Sequence, residues 1–319
     1  MAVETLRFLK VATTTQWDRN TLLHHLNVFS STYDACLDEP CPWDDSYNLN
    51  SLAELIADPR LVDDVDITLS ILAALRIIAR FDSCRQGFST RSLEALYYLL
   101  KQSNAAFLYH LVSVVTNLCY TETCTVFFVT LNIVPFVNNL LISLNDDPTL
   151  SALCVLLQTL AFHESGKVKC VEEHSILVLS SFLTSTSSSN SLKEAALGAV
   201  HNLTTKDSVL KDCANLPFLN SILELLHSSN DDVQSSAAGT LQNLARDLTC
   251  REILKEIKGV EHLCFVLANG STTGQKGALG ALVNILSCDL DEKSFESVKG
   301  LLSSLIVMGF FGNILNSET

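Results

Sequence analysis

Residues 233–245 read VQSSAAGTLQNLA, and the reading of this stretch decides the fold. Leu241 and Leu244 share one face of a helix. Ala237, Ala238 and Gly239 are small enough to let another helix approach closely. Asn243 sets a single amide into the apolar face. The same arrangement returns along the chain, with Asn284 in GALGALVNILS, Asn202 in EAALGAVHNLT and Asn117 in LVSVVTNLC. Thr159 fills the slot in CVLLQTLA and Ile77 fills it in ILAALRIIA. Successive slots are 40, 42, 43, 41 and 41 residues apart. A steady period of this length predicts a helical solenoid, in which each unit buries its apolar face only against its neighbours.

Each period has the same internal grammar. A short first helix, such as CREILKEIKG at 250–259, follows the repeat boundary. A second helix ends in an apolar pair, as in VEHLCFVL (260–267), LPFLNSILELL (216–226), VPFVNNLL (134–141) and RSLEALYYLL (91–100). A polar break with a helix-capping residue comes next: SLNDD at 143–147, SSNDD at 228–232 and NGSTT at 269–273. The third helix carries the slot. Leu100 to Asn117, Leu226 to Asn243 and Leu267 to Asn284 are each 17 residues, so the spacing is preserved inside one chain. The break TSTSSSNS at 184–191 is longer and rich in serine, which predicts a flexible turn.

Residues 1–48 are expected to form an acidic, partly helical N-terminal arm ahead of a repeat array over 49–316. Short helices are expected at Thr5–Ala12 and Arg19–Ser30, then a loop over 33–48 with Pro40, Pro42 and five acids. The first 66 residues hold twelve acids against four Lys or Arg, so much of the chain's net charge of -14 sits there. An acidic chain lacks the basic surface that nucleic acid or an anionic membrane demands. Neither of two apolar runs reads as a membrane span: Cys124–Leu144 is interrupted by Asn132, Pro135, Asn138 and Asn139, and Gly300–Leu315 falls short of the ~20 residues a span needs. Eleven cysteines, mostly inside apolar helical runs, read as small buried hydrophobes in a reduced, cytoplasmic setting.

The apolar pair, the polar break and the sequence A-x-G-x-L-x-N-L resemble the armadillo repeat over 49 to 315, most closely over 190–288. The resemblance implies an all-α fold, a right-handed α-solenoid of about six three-helix repeats. It also implies that the third helices line a concave groove where Asn side chains hold an extended peptide. Importin-α has Trp four residues before the Asn, whereas this chain has Ser113, Val155, Gly198, Gly239 and Gly280. Glycine there is similar to the catenin-like cytoplasmic members.

The candidate partner-binding residues follow from the slot. An amide offers both a donor and an acceptor, so Asn117, Asn202, Asn243 and Asn284 can either bracket a bound main chain or tie one repeat to the next. Thr159 and Ile77 interrupt that ladder. One turn beyond the slot, on the same face, lie Tyr120, Phe162 and Arg246, with Lys206 and Lys276 as further positive charge. The aromatics can serve as exposed anchors or as core between repeats. The expected partner is a protein, held through an extended segment with apolar anchors and a few acids. Trp43 in the acidic loop is a possible docking anchor. The apolar 300–315 run could support self-association through the C-terminal repeat.

Acid pairs such as Asp63–Asp64, Asp146–Asp147 and Asp231–Asp232 fall at helix starts, where they complement the helix dipole. Cys36 and Cys41 near His24 and His25 form one loose pair, short of a structural metal site. No motif for phosphate binding, hydrolysis or metalloprotease chemistry occurs. The expectation is therefore a non-enzymatic scaffold or adaptor without a cofactor. The alternatives are a component of a cytoskeletal or axonemal assembly joined through its ends, and a regulatory cofactor of another protein such as a chaperone.

Overall fold

The computed structural model describes residues 18–34, 46–56, 64–102 and 105–286, together with Thr5. Apart from Thr5, the expected Thr5–Ala12 helix lies outside the described residues, as do the loop residues Cys36, Cys41 and Trp43, Asp63 and the 300–315 run. The chain divides into two compact units, Met1–Glu173 and His174–Thr319. Among the described residues every regular element is helical.

The first unit contains α1 (Arg19–Tyr33), α2 (Ser46–Leu55), α3 (Val65–Ile78), α4 (Asp82–Arg85), α5 (Thr90–Gln102), α6 (Ala105–Leu118), α7 (Glu122–Thr130), α8 (Ile133–Ser143), α9 (Asp147–Phe162) and α10 (Glu164–Glu172). The slot-bearing helices α3, α6 and α9 pack against one another in chain order. Helix α1 packs on α3 in the same manner, burying Leu22, Leu26 and Phe29. Its polar side is latched as well: Arg19 pairs with Asp64 at 2.5 Å and Asp66 at 3.0 Å, and Arg76 and Arg80 both reach Asp34, at 2.8 and 3.0 Å. Part of the N-terminal acidity is thus consumed in holding α1 to the array.

The run from Cys124 to Leu144 is split between α7 and α8, which bend by 75° where Asn132 takes a left-handed conformation (φ 61°). His174 and Lys258 repeat this turn before the second helix of their repeats, at φ 52° and 60°. No single helix among the described residues is long and apolar enough to cross a membrane.

The second unit contains α11 (Ser175–Thr184), α12 (Asn190–Leu203), a 3-10 turn (Asp207–Val209), α13 (Leu216–Leu225), α14 (Asp231–Leu244), α15 (Leu248–Glu256), α16 (Gly259–Asn269) and α17 (Thr272–Leu286). Here α12, α14 and α17 form the slot-bearing row, with α11, α13 and α16 packed behind them. One first helix is reduced to the 3-10 turn. Val209, Leu210 and Cys213 are still buried there, so its place in the core is filled. Helix starts follow the sequence expectation. Asn230 accepts from the backbone N–H of Asp232, Asp146 from Thr149 and Asp64 from Ile67, each relieving an unpaired N–H of a first turn.

The eight described cysteines are free thiols, seven of them buried. Burial pushes Cys154 and Cys250 up to about 12, which keeps both protonated and poorly nucleophilic.

Candidate functional site

The third-helix faces carry the candidate site, and the two units present it differently. In the first unit, Tyr120 and Phe162 stand at the ends of α6 and α9 and are 56% and 73% exposed. They are not core between repeats. The His163 ring links them: it packs edge-on to Phe162 at 5.4 Å, and its Nε2 lies 3.2 Å from the Tyr120 carbonyl oxygen. The Arg85 guanidinium lies 5.9 Å from the Tyr120 ring centre, adding positive charge beside the aromatic.

The slot amides are half-buried, and the structure shows where their donors go. Asn117 Nδ2 donates to the Arg76 carbonyl at 2.9 Å, and Asn284 Nδ2 donates to the Gln242 carbonyl at 2.9 Å. In both cases the acceptor directly precedes the slot of the previous repeat. Asn243 Nδ2 reaches Thr204 Oγ1 at 3.3 Å. These three amides therefore tie neighbouring third helices together. Thr159 instead donates to the Val155 carbonyl of its own helix at 2.9 Å, and Ile77 is fully buried. Asn202 is half-buried at its slot on α12.

A hydrogen bond from a half-buried amide to a backbone carbonyl contributes ~0.5–1.5 kcal/mol. Asn284→Ala is accordingly expected to lower the urea midpoint of unfolding by that free energy, and Asn117→Ala by a similar amount. Unchanged midpoints would show that the ties carry no weight.

Arg246 is committed in the same way. Its guanidinium donates to the Thr204 and Thr205 carbonyls at 2.9 and 3.1 Å and pairs with Asp207 at 3.0 Å. It braces the loop after α12 against α14, which the sequence alone could not distinguish from a charge offered to a partner.

The second unit holds an open pocket of about 360 Å³ across α12, α14 and α17. His201, Ser235, Ser236, Gln242, Thr273 and Lys276 line it, over a floor of Gly239 and Gly277. The floor exists because the helices nearly touch. A Cβ at Gly277 would lie 2.9 Å from the Gly239 backbone nitrogen and 3.1 Å from the Ala238 carbonyl carbon. A Cβ at Gly239 would lie 2.6 Å from the His201 ring, and one at Gly280 would lie 2.4 Å from the Gln242 amide. Glycine four residues before the slot thus lets the side chain preceding the previous slot lie across the face. Sequence reading offers Lys276 as positive charge near the slots but misses His201 and the pocket. The signal was the pairing of Gly239 with Gly277.

Two histidines next to the repeat packing give a pH dependence. Burial, then Arg76, lowers His110, while burial, then His227, lowers His262, with Glu261 opposing. The His227 Nε2 and His262 Nδ1 are 2.7 Å apart. The unfolded chain binds these protons first, so the stability is fully present above ~pH 7.5. It is lost as pH falls through the ordinary histidine value of ~6.5 toward the lowered folded values. The melting temperature is expected to fall between pH 7.5 and 5.5, and to fall less in His262→Gln. Equal falls in the two proteins would count against this contribution.

Among the described residues no group of three or more His, Cys, Asp or Glu is placed to hold a metal ion.

No family model and no curated protein matches the sequence. Solved structures do match. One, described as an engineered protein, superposes with a TM-score of 0.65 at 18% identity, covering 93% of this chain and 82% of that one. A designed armadillo repeat protein superposes with a TM-score of 0.64 at 17% identity, covering 74% of this chain and 99% of the design. A second, solved in complex with the peptide (KR)4, gives a TM-score of 0.62 at 17% identity over the same shares of the two chains. The fold is an armadillo-like array of helical repeats.

Proposed function

We propose that this armadillo-like chain is a non-enzymatic scaffold or adaptor that holds an extended segment of a protein partner on the exposed face of its third helices. The observation that carries the reading is the exposure of Tyr120 and Phe162, at the same place in adjacent repeats and joined through His163. Aromatics of this kind are enriched among the residues that dominate protein interfaces. A repeat spacing that places one anchor per repeat suits an extended segment better than a folded domain. That a designed armadillo repeat protein is in complex with a peptide supports the same use of the fold. Asn117, Asn243 and Asn284 contribute by fixing the distance between helices, since their donors are engaged by neighbouring repeats.

The test uses peptides selected from a displayed random library against the full chain. Tyr120→Ala with Phe162→Ala is expected to weaken the selected peptides by about tenfold or more, as two anchors of ~1–2 kcal/mol each imply. Both side chains are exposed, so the melting temperature is expected to stay unchanged. Full affinity in the double variant would overturn this use of the face.

A further inference from the structure

We infer that the pocket over Gly239 and Gly277 binds the carboxylate of an aspartate or glutamate carried by an extended protein segment. The inference rests on the reading above that third-helix faces hold a partner segment, and it names the chemistry of that segment in the second unit.

The pocket's composition favours an anion. The chain has 35 acids against 21 Lys and Arg, yet no acid among the described residues lines this pocket. Its lining supplies an ammonium from Lys276, hydroxyls from Ser235, Ser236 and Thr273, the Gln242 amide and the His201 ring. A lysine or arginine inserted here would meet Lys276 and find no carboxylate among the described lining residues.

Several of these groups are also unspent among the described residues. Lys276 makes no ion pair or hydrogen bond with a described residue, and the Ser236 hydroxyl, Thr273 hydroxyl and Gln242 amide make no side-chain hydrogen bond with one. Three hydrogen-bonding side chains and one cation therefore converge on a space from which the two glycines remove all other side-chain bulk. Charge-assisted hydrogen bonds to a carboxylate are the strongest use of such a set.

The single cation also limits what kind of anion fits. One lysine is too little to hold a free ion against water at an open surface, where a single exposed ion pair contributes modestly. It is also too little for a nucleic-acid backbone, which needs a row of cations. A carboxylate delivered by a segment already lying along the third helices is held at high effective concentration, so one cation is enough to select it.

The experiment is selection of displayed random peptides against the full chain and against Lys276→Glu. Lys276 is exposed and pairs with no described residue, so the variant is expected to keep its melting temperature. The wild type should enrich peptides with Asp or Glu at one fixed position, and the variant should lose that preference or replace it with Lys or Arg. Changing the fixed acid of the best peptide to Gln or Lys should weaken binding to wild type by about tenfold or more. Enrichment without an acidic position, or the same acidic position with both proteins, would overturn the carboxylate assignment while leaving the groove reading intact. Tighter binding when phosphoserine replaces the acid would also overturn it. No enrichment with either protein would overturn the groove reading and this inference with it.

Discussion

Gly277→Val is expected to destabilise the second unit by about 3 kcal/mol, the upper part of the range for overpacking a close helix contact. Any Cβ at this position meets the Gly239 nitrogen, the Ala238 carbonyl carbon and the Ala238 Cβ within 3.2 Å. Two of those atoms are backbone, so α14 and α17 must separate, and the Asn284 tie to the Gln242 carbonyl lengthens with them. Gly239→Ala and Gly280→Ala form the control pair. Their new methyls come nearest to the His201 ring and the Gln242 side chain, groups that can turn aside. Both are expected to cost less than ~1 kcal/mol, because alanine also recovers most of the ~1 kcal/mol helix-propensity deficit of glycine. Urea unfolding monitored by helical circular dichroism reads the difference. Equal midpoints for Gly277→Val and Gly239→Ala would show that the close approach is not a constraint.

Phe128→Ala is expected to be at least as costly, about 3–5 kcal/mol, the usual range for emptying a buried phenylalanine site. Phe128 is fully buried on α7, with its ring 6.4 Å from that of Tyr97 on α5. The Tyr97 hydroxyl is in turn bonded to the Leu131 carbonyl, so the walls of the cavity are pinned and collapse poorly. Phe162→Ala removes the same side chain from a site that is 73% exposed. It is expected to change the midpoint by no more than ~0.5 kcal/mol. The contrast separates a phenylalanine that builds the repeat from one that is available to a partner, and similar costs would erase that distinction.

Much of the fold was legible because the repeat is written several times. The period of the slot located the third helices α6, α9, α12, α14 and α17, and the polar breaks located the caps of Asp146 and Asn230. Left-handed turns at Asn132, His174 and Lys258 were not legible, since none is glycine and the conformation is imposed by the packing of the helices on either side. Nor was the attachment of α1, which depends on Arg76 and Arg80 meeting Asp34, 42 and 46 residues away.

The candidate site divides along similar lines. Sequence periodicity put Tyr120 and Phe162 on one face but could not say whether the next repeat would cover them. Asn243 and Asn284 occupy the same slot of their repeats, yet one reaches a hydroxyl and the other a carbonyl. That choice turns on ångström-scale offsets between helices, which no spacing rule encodes. Arg246 shows the same limit: an arginine one turn past the slot suits a partner or a brace equally well until Thr204, Thr205 and Asp207 are seen around it.

The most direct test of the account is site-specific photo-crosslinking from the full chain to a selected peptide. A photoreactive phenylalanine analogue is placed at 120 or 162 on the third-helix face, and at the exposed Ile142 or Leu177 on second helices as controls. The account predicts crosslinks from 120 and 162 and none from 142 or 177. Crosslinks confined to 142 or 177, or equally strong from all four, would contradict a partner segment held on the third helices.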